Sequence, residues 1–207
     1  MSNDSPVCVV DDDDDVRQCI RVLLESAEYA VKDYPTAEAF LADDIQSVAC
    51  LVAEVRMPHM DGLTLQQEVA KRRQDLPVVI LSGHGEVQLA VRAMKAGAVD
   101  FIQKPFNEKA LLSSVRRAIE IGERTRNEAA EVRAAMRLLS LLTPREQNVL
   151  SDLVNGMSNK AAAQHLGISP RTIEVYRAQI MDKLHANSLS DLVRTAMVAA
   201  RAPTTHN

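Results

Sequence analysis

Five polar side chains follow short apolar runs in the first half of the chain, and together they could hold a phosphoryl group. Asp11 and Asp12 come directly after Val7–Val10, and Glu54 lies near the end of Cys50–Val55. Ser82 follows Val78–Leu81, and Lys104 comes just beyond Val99–Ile102. Three carboxylates gathered at one place repel each other unless a cation or a positive side chain intervenes, and oxygen donors with room for water suit Mg2+. Lys104 offers a compact charge for a phosphoryl oxygen, and Ser82 offers a hydroxyl. A divalent metal, an ammonium and a hydroxyl are what a transferring phosphoryl group requires for charge neutralisation.

The elements that must position these groups can be read from periodicity. Apolar runs at Val7–Val10, near Ala30–Tyr34, and at Cys50–Val55, Val78–Leu81 and Val99–Ile102 suit short buried strands. Helical patterns separate them: Val16, Ile20, Leu23 and Leu24, then the stretches around Ala37–Leu41, Leu63–Arg73 and Val87–Ala96. Five strands alternating with helices predict an open parallel sheet covered on both faces, with functional groups at the carboxyl ends of the strands. Asp13, Asp14 and Asp15 extend the acidic run and are read as an N-cap and favourable charges at the start of a helix. His84 is read as an ordinary loop histidine beside the site.

The chain has 207 residues, enough for two modest domains. Its net charge is -4, but residues 141–207 hold 7 Lys and Arg against 5 Asp and Glu, so the excess of acid lies wholly in the first part. An acidic front and a mildly basic back predict different partners for the two halves. Three cysteines, Cys8, Cys19 and Cys50, without CxxC spacing argue against a disulfide framework. No apolar stretch reaches membrane-spanning length and the N-terminal residues do not form a signal peptide, so the expected compartment is the cytoplasm.

From Glu108 to about Leu139 there is no proline and one glycine, Gly122. Leu111, Val115, Ala118 and Ile119 form one helical stripe, and Val132, Met136 and Leu139 form another. This predicts a long helix, with a possible interruption near Gly122, whose later half pairs with a second copy or packs on the C-terminal part. The expected division is 1–121, a linker helix at 122–140, and 141–207.

The last third reads as four helices. Thr143-Pro144-Arg145-Glu146 carries a capping box and a proline at the first helical position. Ser158 caps a short helix ending near Leu166-Gly167, and Ser169-Pro170 opens a third reaching Leu184. A fourth runs from Ser190 toward Ala200. Helix, tight turn at Gly167-Ile168 and helix is the spacing of a helix-turn-helix. In the third of these helices Ile173, Tyr176, Ile180 and Leu184 should face the core, leaving Arg171, Glu174, Val175 and Ala178 on other sides.

Both halves resemble known families. Val9-Val10-Asp11-Asp12-Asp13, Arg56-Met57-Pro58 with Asp61-Gly62, Ser82-Gly83-His84-Gly85, Ala93–Ala98 and Lys104-Pro105-Phe106 resemble a two-component receiver domain of the FixJ type over about 120 residues. The resemblance implies a doubly wound, five-stranded CheY-like sheet. It implies that Asp11 and Asp12 are the acidic metal pair, that Ser82 swings toward the phosphoryl group, and that Lys104 ion-pairs with the site. It also implies that Phe101 is the switch aromatic and that the Arg56 carbonyl is a metal ligand beside Glu54. One position departs. The family's phosphoacceptor aspartate is replaced by Glu54, with no neighbouring carboxylate to take over. The extra methylene, about 1.3–1.5 Å, carries the carboxylate into the volume the phosphoryl group would fill, and a misplacement of about 1 Å can cost roughly 100-fold in rate. Phosphotransfer at Glu54 is therefore expected to be poor or absent. The longer carboxylate could instead reach Ser82 or Lys104 and partly imitate the phosphorylated state.

Leu142–Glu146, Gly156–Lys160, Ser169–Arg177 and Lys183-Leu184 resemble a LuxR-type output domain over roughly residues 138–200. By that resemblance Glu174, Val175 and Ala178 meet base edges in the major groove. Arg171, Arg177, Lys160 and Lys183 are read as phosphate contacts, aided by Asn159 and Thr172. The expected partners are double-stranded DNA, a sensor histidine kinase and a second copy of the chain. The expected function is a non-enzymatic, DNA-binding transcription regulator whose receiver controls dimerisation. The alternative is a signalling adaptor whose helical domain binds protein, and salt-dependent DNA binding separates the two.

Overall fold

The computed structural model describes residues 5–83 and 87–202. The chain divides into two compact units, Met1–Arg126 and Asn127–Asn207.

The first unit is built on five strands: β1 (Val7–Val10), β2 (Val31–Tyr34), β3 (Cys50–Glu54), β4 (Val78–Ser82) and β5 (Asp100–Gln103). All pairings are parallel, in the order β2-β1-β3-β4-β5. Side chains alternate across the pleat, so each strand feeds two cores. Cys8, Val10, Leu51, Ala53, Val78 and Ile80 join one, and Val7, Val9, Cys50, Val52, Val79 and Leu81 join the other. The first core is closed by α2 (Ala37–Ala42), α3 (Gly62–Arg72) and α4 (Val87–Lys95) through Phe40, Leu65, Val69 and Ala93. The second is closed by α1 (Asp14–Ser26) and α5 (Glu108–Leu139) through Ile20, Leu24, Leu111, Val115 and Ala118. Burial on both faces explains why the three central strands β1, β3 and β4 read as nearly unbroken apolar runs, while the edge strands β2 and β5 carry polar residues and are only partly buried. Asp13 is the N-cap of α1, accepting from the backbone of Asp15 and Val16, and Asp14 and Asp15 lie in the first turn as expected.

The expected long helix is found and is continuous at Gly122: α5 runs through it as one 32-residue helix. The glycine serves packing instead. A Cβ there would lie 2.8 Å from Pro77 Cδ, so only a hydrogen lets the helix approach this turn so closely. Four residues on, Arg126 Nε lies 3.3 Å from Asp75 Oδ2.

The second unit begins within α5 and continues with α6 (Pro144–Val154), α7 (Asn159–Leu166), α8 (Pro170–Lys183) and α9 (Leu189–Ala199). Thr143 and Glu146 complete the anticipated capping box, and Ser158 and Ser169 cap α7 and α8. The last helix starts one residue earlier than its apolar pattern suggested, capped by Ser188. Val149, Leu153, Ala162, Ile173, Ile180 and Leu192 form the core. Of the stripe expected at the end of α5, Leu139 packs on this core as anticipated, joined by Leu138 and the buried Ala135, while Met136 is exposed.

Candidate functional site

Parallel strands bring their carboxyl ends to one edge of the sheet, and the five chemistry-bearing residues lie there. The ladder extends past β1 through Asp11 N, which donates to Tyr34 O at 3.3 Å, leaving the Asp11 side chain buried. Its Oδ1 accepts from Asp13 N at 3.0 Å, and its Oδ2 accepts from Lys104 Nζ at 2.6 Å. Glu54, the last residue of β3, is also buried. Its Oε1 accepts from Arg56 N at 3.1 Å, and its Oε2 lies 2.6 Å from the same Lys104 Nζ. Lys104 is brought in by its own backbone, whose N–H donates to Ser82 O at 2.7 Å at the end of β4. Burial by itself would lower the Lys104 pKa, but the hydrogen bonds to Asp11 and Glu54 outweigh it and hold the ammonium above its ordinary value.

One ammonium thus bridges two carboxylates, and the Ser82 side chain is fully buried beside the strand end. Asp12 is exposed. The expected convergence of three carboxylates is not found: among the described residues no group of three or more His, Cys, Asp or Glu is placed to hold a metal. The reason is geometric, since Lys104 takes the position between Asp11 and Glu54 that a cation would bridge. Oxygen donors remain at Asp12 and at the rest of the site, and Mg2+ commonly takes one or two carboxylates with water completing its shell. The donor chemistry fits that ion, with Glu54 already committed to Lys104. Phe101 is partly buried and packs on the core under α2, α3 and α4. His84 lies outside the described residues.

Two contributors escaped sequence reasoning. Arg17, one turn into α1 and buried, donates from Nη1 to the Asp11 carbonyl at 2.7 Å and pairs with Asp14 and Asp33. Its spacing from Asp14 was the available signal. Gly62 is the second: a Cβ there would meet the Glu54 carbonyl oxygen at 2.2 Å, so glycine alone lets the start of α3 lie against the backbone of Glu54.

In the second unit the helix-turn-helix is in place, and α8 buries Ile173, Ile180 and Leu184 while Tyr176 is partly buried against the same core. Arg171, Glu174, Val175 and Ala178 are exposed, as is Lys160 on α7. Asn159 and Arg177 are half-buried, and the Thr172 hydroxyl lies 2.8 Å from Ser169 Oγ within the cap. Lys183 is paired within its own domain. Its Nζ donates to Glu146 Oε2 at 2.7 Å, and that carboxylate also accepts from Thr143 N and Oγ1. The Lys183 hydrogen bond, followed by the Thr143 backbone bond, holds the Glu146 carboxyl below its usual value. The lysine read in sequence as a phosphate contact thus reaches the N-cap of α6 in this structure.

Comparison with known proteins covers both units. The response regulator receiver domain model matches residues 7–116, and the model of bacterial regulatory proteins of the luxR family matches residues 140–196. The transcriptional regulatory protein FixJ of Azorhizobium caulinodans is 45% identical over 205 residues, covering 98% of this chain and 97% of that protein. The response regulator protein TmoT of Ectopseudomonas mendocina is 38% identical, covering 92% of this chain and 87% of that one. Among solved structures, the response regulator StyR matches with a TM-score of 0.82 at 39% identity, covering 93% of this chain and 98% of that one. Full-length FixJ from B. japonicum matches with a TM-score of 0.58 at 42% identity, over 95% and 98% of the two chains.

Proposed function

The chain belongs to the response regulators that join a receiver domain to a LuxR-type output domain, and from that premise we propose a receiver whose switch is set by Glu54 rather than by phosphorylation. As a member of this family it is a DNA-binding regulator of a two-component system and not an enzyme, so the adaptor reading falls away. The observation that carries the proposal is the Lys104 ammonium at 2.6 Å from both Asp11 Oδ2 and Glu54 Oε2. Glu54 reaches the lysine that would otherwise meet a phosphoryl oxygen, and supplies one negative charge where a phosphate carries roughly two. The resulting imitation is partial. Mg2+, when bound, would be held by Asp11, Asp12 and the Arg56 carbonyl, and would neutralise charge at the site.

Output follows from pairing of two chains on DNA, with α4 as part of the pairing face; its Val87, Val91 and Met94 are exposed apolar side chains. Lys160, Arg171 and Arg177, aided by Asn159 and Thr172, contact phosphates, while Glu174, Val175 and Ala178 meet bases. A sensor histidine kinase docks on the receiver, and the setting is the cytoplasm. No helix among the described residues is long and apolar enough to cross a membrane. The test is incubation with acetyl phosphate and Mg2+ followed by intact-mass measurement of the chain and of Glu54→Asp. The expected result is a phosphoryl adduct on the variant alone; a stoichiometric adduct on Glu54 itself would overturn the proposal.

A further inference from the structure

We infer that Gln179 is a base-reading residue of α8 that sets an adenine preference in the DNA site, an inference that rests on the DNA-contact reading above. Successive residues of a helix turn by about 100°, and the buried Ile173, Ile180 and Leu184 define the inward direction of α8. Opposite lie Arg171, Val175, Ala178 and Asp182, all exposed. The two small apolar members of this stripe let the helix come close to the groove floor, yet neither can exchange a hydrogen bond with a base. With Arg171 read as a phosphate contact and Asp182 able only to accept, readout by a paired donor and acceptor passes to the polar side chains flanking the stripe. These are Glu174 on one side and Gln179 on the other, each about 70° from its centre and both exposed.

Their chemistries differ. Glu174 only accepts, as does Asp182 one turn beyond Ala178. Gln179 is the exposed side chain of α8 that offers both a donor and an acceptor, the pair needed to bond adenine N6 and N7 together. Arg177 and Lys183 cannot fill this role: both lie about 120° from the stripe centre, half-buried, and Lys183 is bound to Glu146. Glu174 and Gln179 are five residues apart, roughly 7.5 Å along the helix axis. That spans about two base-pair steps of about 3.4 Å, so the adenine stands about two steps from the base pair that Glu174 meets.

The test is selection of randomised duplex DNA by the full chain and by Gln179→Ala, followed by sequencing and by titration of the selected site. Gln179 is exposed, so the substitution leaves the fold intact, which circular dichroism verifies. The expected result is a motif for the unaltered chain whose adenine preference drops about tenfold at one position in the variant, with non-specific binding unchanged. An unchanged motif, or a uniform loss of affinity across sequences, overturns the inference. If the unaltered chain selects no motif, the DNA-contact reading fails first and takes this one with it.

Discussion

Lys183 and Glu146 are 37 residues apart in sequence and joined by a 2.7 Å hydrogen bond between Nζ and Oε2, tying the end of the recognition helix to the capping box that opens α6. The carboxylate is buried and the lysine about a third exposed. The end of α8, already seated by Ile173, Ile180 and Leu184, is thus joined to α6 by an ion pair whose basic partner is also read, in sequence, as a DNA contact.

Replacing Lys183 by Ala is expected to destabilise the C-terminal unit by about 1–2 kcal/mol, since it strands a buried carboxylate while Thr143 still satisfies part of it. The dependence of DNA affinity on salt should be unaltered. Lys160→Ala, by contrast, should flatten the slope of log K against log salt by about 0.9, the contribution of one phosphate. Titrations at several salt concentrations check both, and an equal slope change at Lys183 would return it to the phosphate contacts.

The same pair predicts an acid limb in stability. The folded pKa of Glu146 lies below its unfolded value near 4.5. Its contribution is therefore complete above that value and is lost as the pH falls through the lower folded pKa. Denaturant midpoints measured from pH 6 downward should decline below about pH 4.5, and Glu146→Gln should be less stable at pH 6 with a shallower decline.

At the receiver edge, removal of Lys104 leaves Asp11 and Glu54 facing each other without their shared ammonium. Lys104→Ala should lose about 3 kcal/mol in metal-free buffer. Mg2+ should recover a large part of this, near 2.7 kcal/mol at a hundredfold excess over Kd. Thermal unfolding with and without Mg2+ reads the difference. An identical Mg2+ response in the unaltered chain and the variant would count against Lys104 standing in for the cation.

Gly122 offers a test of packing against propensity. In an exposed helix interior, Gly→Ala gains about 1 kcal/mol. Here the new methyl would sit 2.8 Å from Pro77 Cδ, and overpacking costs about 1–3 kcal/mol. Gly122→Ala should therefore destabilise the first unit, and hydrogen exchange around Asp75 and Arg126 should quicken. A stabilised variant would show that α5 is not held against this turn.

Much of this protein could be read directly from its residues. Strands buried on both faces must be apolar runs, as β1, β3 and β4 are, and such runs alternating with helical stripes admit few arrangements beyond a doubly wound sheet. Capping chemistry is local, so the starts of α6, α7 and α8 were legible from Thr143, Ser158 and Ser169 within a few residues of each. The gathering of Asp11, Glu54, Ser82 and Lys104 also followed, because parallel strands place all their carboxyl ends on one edge. Tertiary structure decided which charges are already matched. Whether Lys104 sits between Asp11 and Glu54, whether Arg17 supports the Asp11 carbonyl, and whether Lys183 turns to Glu146 or to solvent all depend on separations that no local pattern encodes. The same holds for Gly122, which propensity marks as a weak point in a helix and which packing against Pro77 requires. Propensity and periodicity act over a few residues. The pairing of charges and the closeness of backbones are set by contacts between residues far apart in the chain, and there the identity of a side chain does not announce its partner.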